Sequence, residues 1–107
     1  MQGAALTIII PCYNSSGFIR QTFAEIEAFV RESTGTEVLF VDDASTDATV
    51  PMLQSLLQGS ACAGRMALLR NAGNSGKGAA IARGLAAVTT EFVCYTDADL
   101  AYDTGNV

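Results

Sequence analysis

Four short apolar runs, each closed by a polar cluster, constrain this chain more than any other feature. They are LTIIIP (Leu6 to Pro11), EVLFVDD (Glu37 to Asp43), RMALLR (Arg65 to Arg70) and EFVCYTD (Glu91 to Asp97). Continuous runs of this length, rich in β-branched residues, fit strands buried on both faces. Pro11 is expected to end the first, because proline has no N–H to give to a ladder.

The segments between the runs have a different period. From Gly17, Phe18, Ile19, Phe23, Ile26, Phe29 and Val30 recur at helical spacing with charged residues between them, which predicts an amphipathic helix. Gly35 is its expected stop. After the second run, Ser45, Thr46 and Asp47 are N-cap candidates and Pro51 fits a first turn, so a second helix is expected to about Leu57. AAIARGLAAV predicts a third helix, with Gly84 marking a close approach of helix to sheet. The alternation predicts an α/β fold: a parallel sheet with helices on both faces and right-handed crossovers. Residues 1–107 read as part of one domain, and the open-ended sheet is expected to be the amino-terminal part of something larger.

Composition narrows the function. Half the residues are hydrophobic, enough to fill a core. The net charge of −5 comes with no basic tract, so no nucleic-acid partner is expected. Histidine is absent, which removes the commonest acid–base residue. Cys12, Cys62 and Cys94 form no CxxC pair; Cys12 and Cys94, in apolar surroundings, are expected as buried thiols in a reducing cytoplasm.

In parallel sheets, ligands bind beyond the carboxyl ends of the strands. The polar clusters of this sequence all fall there: Cys12 to Ser15, then Asp42 and Asp43, then Asn71 to Gly78, then Asp97 and Asp99. Each has two readings. Asp97 and Asp99, one residue apart, are either turn formers or hard oxygen ligands for magnesium or manganese. Asp42 and Asp43 are either turn and cap residues or acceptors for a ligand N–H or ribose hydroxyl. RNAGNSGKGAA is either a structural turn or a phosphate-binding loop at a helix N-terminus, with Lys77 adding a full charge. It is no Walker A loop: two residues separate Gly73 from Gly76, and Gly78 stands where a hydroxyl should follow the lysine.

Taken in order, TIIIPCYNSS, FVDDASTDAT, RNAGNSGKGAAIARGL and YTDADLAY resemble glycosyltransferase family 2, closest to its dolichyl- and polyprenyl-phosphate glucose and mannose synthases. The resemblance runs from Leu6 to Tyr102. It implies the GT-A fold, of which this chain would be the Rossmann-like, donor-binding part, ending before the acceptor-binding half. It implies a nucleotide-sugar site at Pro11, Tyr13, Asn14, Asp42, Asp43, Gly76, Lys77 and Asp97, with Asp43 reading the base. It implies a divalent metal, magnesium or manganese, on Asp97 and Asp99. The donor it implies is a UDP-sugar, with a GDP-sugar as the alternative, and the acceptor a lipid phosphate. The catalytic base would lie in the carboxyl-terminal half, so no catalytic residue is expected here. A longer protein would work at the cytoplasmic face of a membrane.

Two residues depart from the family pattern. Ser15 replaces a frequent Glu, and Ala44 replaces a Gly, which strains the backbone if that position needs positive φ. Two other readings remain. One is a Rossmann-type nucleotide module, although PCYNSSG lacks the GxGxxG expected after the first strand. The other is an inactive structural unit that self-associates through an exposed sheet edge.

Overall fold

A computed structural model describes residues 5–73 and 76–96, apart from the side chain of Lys77. The elements follow the expected order: β1 (Leu6–Cys12), α1 (Ile19–Glu32), β2 (Thr36–Asp42), α2 (Thr49–Gln58), β3 (Met66–Arg70), α3 (Lys77–Ala86) and β4 (Phe92–Tyr95). A short 3₁₀ turn, Ala63–Arg65, leads into β3, so Arg65 falls outside the strand expected to contain it.

All pairings are parallel, and the strand order is β3-β2-β1-β4. The chain steps outward from β1 to β3, then returns past β1 to place β4. The helices follow this reversal. Ile19, Phe23, Ile26 and Val30 of α1 and Leu53 of α2 share one core with Ile8, Ile10, Val38 and Phe40. Ala80 of α3 packs on the other face against Ile9, Leu39 and Val41. Reversing both direction and face keeps a single crossover hand.

Sequence periods explain the two cores. Alternate residues of β1 and β2 point to opposite faces, so Ile8 and Ile10 meet α1 while Ile9 meets α3. The Phe23 and Phe40 rings stack at 5.9 Å between centroids. Phe29 lies off the buried stripe of α1 and is exposed. The expectation for Gly84 holds. A Cβ there would come within 2.9 Å of Ile9 Cγ2, so only glycine lets α3 lie this close to β1.

Three local expectations need correction. Pro11 does not end β1; it pairs with Val41, and the strand continues to Cys12. Ile9 turns its carbonyl toward β4, where it accepts from Thr96 N–H, and Pro11 has the same orientation two residues on. The β1–β4 ladder has closed at Ile9 and Tyr95, so no bond needs the missing N–H. Ala48, rather than Ser45, Thr46 or Asp47, occupies the N-cap of α2 and makes no side-chain cap bond. Cys94 is exposed, because β4 is an edge strand whose residues are all exposed among the described structure.

Candidate functional site

The carboxyl ends of β1, β2 and β3 converge, and their loops are joined by hydrogen bonds between side chains and backbone. The loop after β1 turns at Asn14, with φ 48, a conformation that asparagine tolerates better than most residues. Its backbone N–H donates to Ser45 Oγ at 2.8 Å, and its side-chain Oδ1 accepts from Thr46 N–H at 2.8 Å. Ser15 N–H donates to Thr49 Oγ1 at 2.7 Å, and Ser16 N–H to Asp47 Oδ2 at 3.1 Å. Tyr13 stands out from this junction, 49% exposed, with its ring free to meet a ligand.

Asp47 serves the junction although it is not the N-cap. Its Oδ1 accepts from Thr49 N–H at 2.9 Å. Burial raises its pKa, but hydrogen bonds from Thr49 and Ser16 outweigh that effect and bring it down to about 2. Asp47 is therefore a carboxylate at any physiological pH.

Asp42 and Asp43 are adjacent, yet their environments differ. Asp42 is 1% exposed; its Oδ1 accepts from Ser45 Oγ–H at 2.6 Å and its Oδ2 from Ser45 N–H at 2.9 Å. Both oxygens thus close the Asp42–Ser45 turn, the first of the two readings open for this residue. That turn carries Ala44 at φ 62, where L-residues are strained by about 1–2 kcal/mol. Asp43 points toward the loop before α3. Its Oδ1 accepts from Asn71 Nδ2–H at 3.0 Å and its Oδ2 from Gly76 N–H at 2.7 Å. Gly76 has φ 91, open to glycine but not to most residues, and stands at the N-cap of α3. A carboxylate at a helix N-terminus also meets the positive end of its dipole. Asp43 therefore holds the glycine loop as well as facing the site.

Pro11 is buried beneath the loops. Cys12 is buried beside them; burial and then the charge of Asp42 push its thiol up to about 12, so it is a neutral, unreactive group at neutral pH. Lys77 is the first residue of α3, and its side chain lies outside what the structure describes. Asp97 and Asp99 lie outside the described residues; Asp97 follows Thr96 directly in the chain. No group of three or more potential metal ligands occurs among the described residues, and the pair expected to hold a metal, Asp97 and Asp99, is not among them. Two carboxylates are the hard oxygen donors that magnesium and manganese take.

A cleft of about 350 Å³ opens on the β3 side of the junction, lined by Ala44, Ser45, Arg70, Asn71 and Ala72. A second, of about 320 Å³, lies at the amino end of the sheet among Thr7, Leu39, Arg65, Ala87 and Val88. Volume does not separate them. The convergence of Tyr13, Asn14, Asp42, Asp43 and Gly76 marks the carboxyl end. The sequence offered Ser45 and Asp47 only as N-cap candidates and gave no role to Thr49 or Arg70. The three-residue spacing of Asp42 and Ser45 is the usual sign of an aspartate turn, and a charged residue closing an apolar strand was the available sign for Arg70.

Known proteins resemble this chain in sequence and fold. A dolichyl-phosphate β-glucosyltransferase of Saccharomyces cerevisiae is 29% identical over 98 residues, covering 88% of this chain and 29% of that protein. A protein of Mycobacterium tuberculosis described as a putative glycosyltransferase is 32% identical over 99 residues, covering 92% of this chain and 28% of that one. The chain thus spans less than a third of the length of either relative. Among solved structures, a mannosyltransferase of Pyrobaculum calidifontis in complex with GDP-Man and Mn2+ superposes with a TM-score of 0.78 at 29% identity, over 88% of this chain and 27% of that one. The model of the family described as glycosyl transferase family 2 matches residues 7–107. The chain therefore belongs to glycosyltransferase family 2, and its parallel sheet with flanking helices is that of a GT-A glycosyltransferase.

Proposed function

We propose that this chain forms the donor half-site of an enzyme that transfers a sugar from a nucleoside-diphosphate sugar. The donor would be UDP-glucose or a close analogue, the acceptor a polyprenyl or dolichyl phosphate, and transfer would invert the anomeric centre. The observation that carries the reading is the convergence of Tyr13, Asn14, Asp43 and Gly76 at the carboxyl ends of β1, β2 and β3. The glucosyltransferase name of the yeast relative supports the choice of sugar and acceptor. The GDP-Man and Mn2+ bound to the archaeal mannosyltransferase support a nucleotide-sugar donor and a divalent metal.

The residues divide the work by chemistry. The Tyr13 ring offers a face on which a base stacks. Asp43 accepts an N–H from the base while keeping Gly76 in place. The Asn14 and Asp47 contacts hold the Tyr13 loop against the Asp42–Ser45 turn, so the pocket is formed before the ligand arrives. Asp97 and Asp99 would hold the metal, which supplies Lewis-acid stabilisation of the charge on the departing nucleotide. The reading assigns no residue of the chain as the base for the acceptor.

Calorimetric titration with UDP, with and without manganese, tests this reading. Manganese-dependent UDP binding that is lost in Asp99→Ala supports it. A folded chain that binds NAD but neither UDP nor GDP would refute it. A turnover assay showing sugar transfer by this chain alone would overturn the half-site assignment.

A further inference from the structure

Asp43 and Gly76 are 33 positions apart in the chain and meet where the end of β2 faces the start of α3. Gly76 stands at the N-cap of α3 with φ 91 and ψ 164, a backbone open to glycine and to almost no L-residue. Lack of space does not explain the glycine: it is exposed, and a Cβ there would meet nothing within 4 Å. The conformation itself is what is needed. It brings the Gly76 N–H to Asp43 Oδ2 at 2.7 Å, while Asn71 Nδ2–H holds Oδ1 at 3.0 Å. Asp43 is 4% exposed, and a carboxylate so deep is costly unless donors meet it. A helix N-terminus attracts anions. At α3 the chain supplies the anion itself.

We propose that Gly76 is a positioning residue for Asp43, and that the glycine loop thereby serves the base side of the donor site and not its phosphates. This rests on the donor-site reading above. The end of a helix carries about half a unit of positive charge. The Asp43 carboxylate carries a full negative one and more than cancels it, so a phosphate arriving at the Gly76 N–H meets a like charge in the place it would take. The two braces sit on different oxygens, one from a backbone N–H and one from a side chain. Together they stop the carboxylate from rotating, so Asp43 meets a ligand with its direction already set. An L-residue at position 76 would have to leave φ 91, which turns its N–H away from Asp43 and frees that rotation.

The test is a set of metal-free titrations with uridine, UDP and inorganic pyrophosphate, followed by amide NMR shifts in the ¹⁵N-labelled chain. In the wild type, uridine should move the Gly76 amide and pyrophosphate should leave it still. Gly76→Ala should weaken uridine and UDP by the same factor, roughly tenfold, the effect of one hydrogen bond to a charged group. Placing D-alanine at position 76, by joining a synthetic segment at Cys62, should restore both affinities, because the Gly76 angles mirror an extended L-residue. Asp43→Asn should weaken uridine yet strengthen pyrophosphate by about fivefold, the effect of one unit charge about 4 Å away in water. Pyrophosphate that moves the Gly76 amide of the wild type overturns the inference and makes the loop a phosphate cradle. So does a D-alanine chain that stays weak for uridine, or an Asp43→Asn chain that gains nothing for pyrophosphate; neither result depends on Gly76→Ala folding. A wild-type chain that binds neither uridine nor UDP removes the donor-site reading and this inference with it, whereas UDP binding indifferent to Gly76→Ala removes this inference alone.

Discussion

The half of the molecule built from β1, α1, β2 and α2 and the flank built from α3 and β4 are packed very differently. Among the described residues, the first holds most of a twelve-residue buried core around Phe23 and Phe40, completed by Cys62 and Met66 from beyond α2. On the α3 face, four buried residues among those described form the core, and β4 leaves Phe92, Val93 and Tyr95 exposed. The site spans the two regions. Tyr13, Asn14, Asp42 and Asp47 stand on the densely packed half, while Gly76 and Lys77 belong to the flank. Asp43 connects them through Asn71 and Gly76. The lesson is that the loops after β1 and β2 rest on a large core, whereas the contact that ties Gly76 to them comes from the Asp43 carboxylate.

The sharpest way to break this contrast is to remove Phe40. Phe40→Ala should cost about 3–5 kcal/mol in urea unfolding, since the ring is fully buried and stacked on Phe23. Leu85→Ala on α3, where the side chain is 48% exposed, should stay within about 0.5 kcal/mol of wild type. Equal losses at the two sites would remove the distinction.

Gly84→Ala probes the seam between the regions. Alanine favours a helix by about 1 kcal/mol over glycine, yet here its Cβ meets the branched, fully buried side chain of Ile9. Overpacking should win, with a net loss of about 1–3 kcal/mol in the same assay. A gain in stability would show that α3 can move away from β1 at little cost.

Asp47→Ala should cost about 1 kcal/mol, because two backbone N–H groups lose their acceptor. The pH dependence sharpens this. A carboxyl whose folded pKa is depressed, here from 3.8 to about 2, stabilises the fold above its unfolded pKa and loses that contribution as pH falls through the folded one. The stability gap between wild type and Asp47→Ala should therefore shrink between pH 4 and pH 2. A gap constant over that range would mean that the Asp47 charge contributes nothing.

Ala44→Gly gives the smallest effect and the opposite sign. It relieves the strain at φ 62 and adds entropy to the unfolded chain, so a net gain of about 0.5–1 kcal/mol is expected from thermal melts. A loss would mean that the Ala44 methyl makes contacts worth more than the strain.

The fold was largely legible because buried parallel strands and amphipathic helices leave different periods in a sequence. Ile8, Ile9 and Ile10 read as one continuous run since each face of β1 meets a helix. Pro11 misled because its effect depends on which neighbour its nitrogen faces, a property of the strand order. Cys94 misled because apolar character does not tell an edge strand from a covered one. At the site, residue types were readable but the divisions of labour were not. Nothing in the pair Asp42 and Asp43 shows that one closes a turn while the other crosses to Gly76. Strand alternation sends them to opposite sides, and only the placed loops reveal their partners. The strain at Ala44 was readable as a condition on φ, and the structure meets that condition.

The central claim is that the carboxyl end of this sheet binds a nucleotide-sugar donor. Its most direct test is amide NMR shift mapping of the labelled chain on adding UDP-glucose with magnesium. The account predicts that the amides of Tyr13, Asn14, Asp43, Asn71 and Gly76 move together and saturate with one affinity, while Thr7, Glu37 and Val88 at the amino-end cleft stay still. Shifts gathered at the amino-end cleft, with the carboxyl-end amides unmoved, would contradict it.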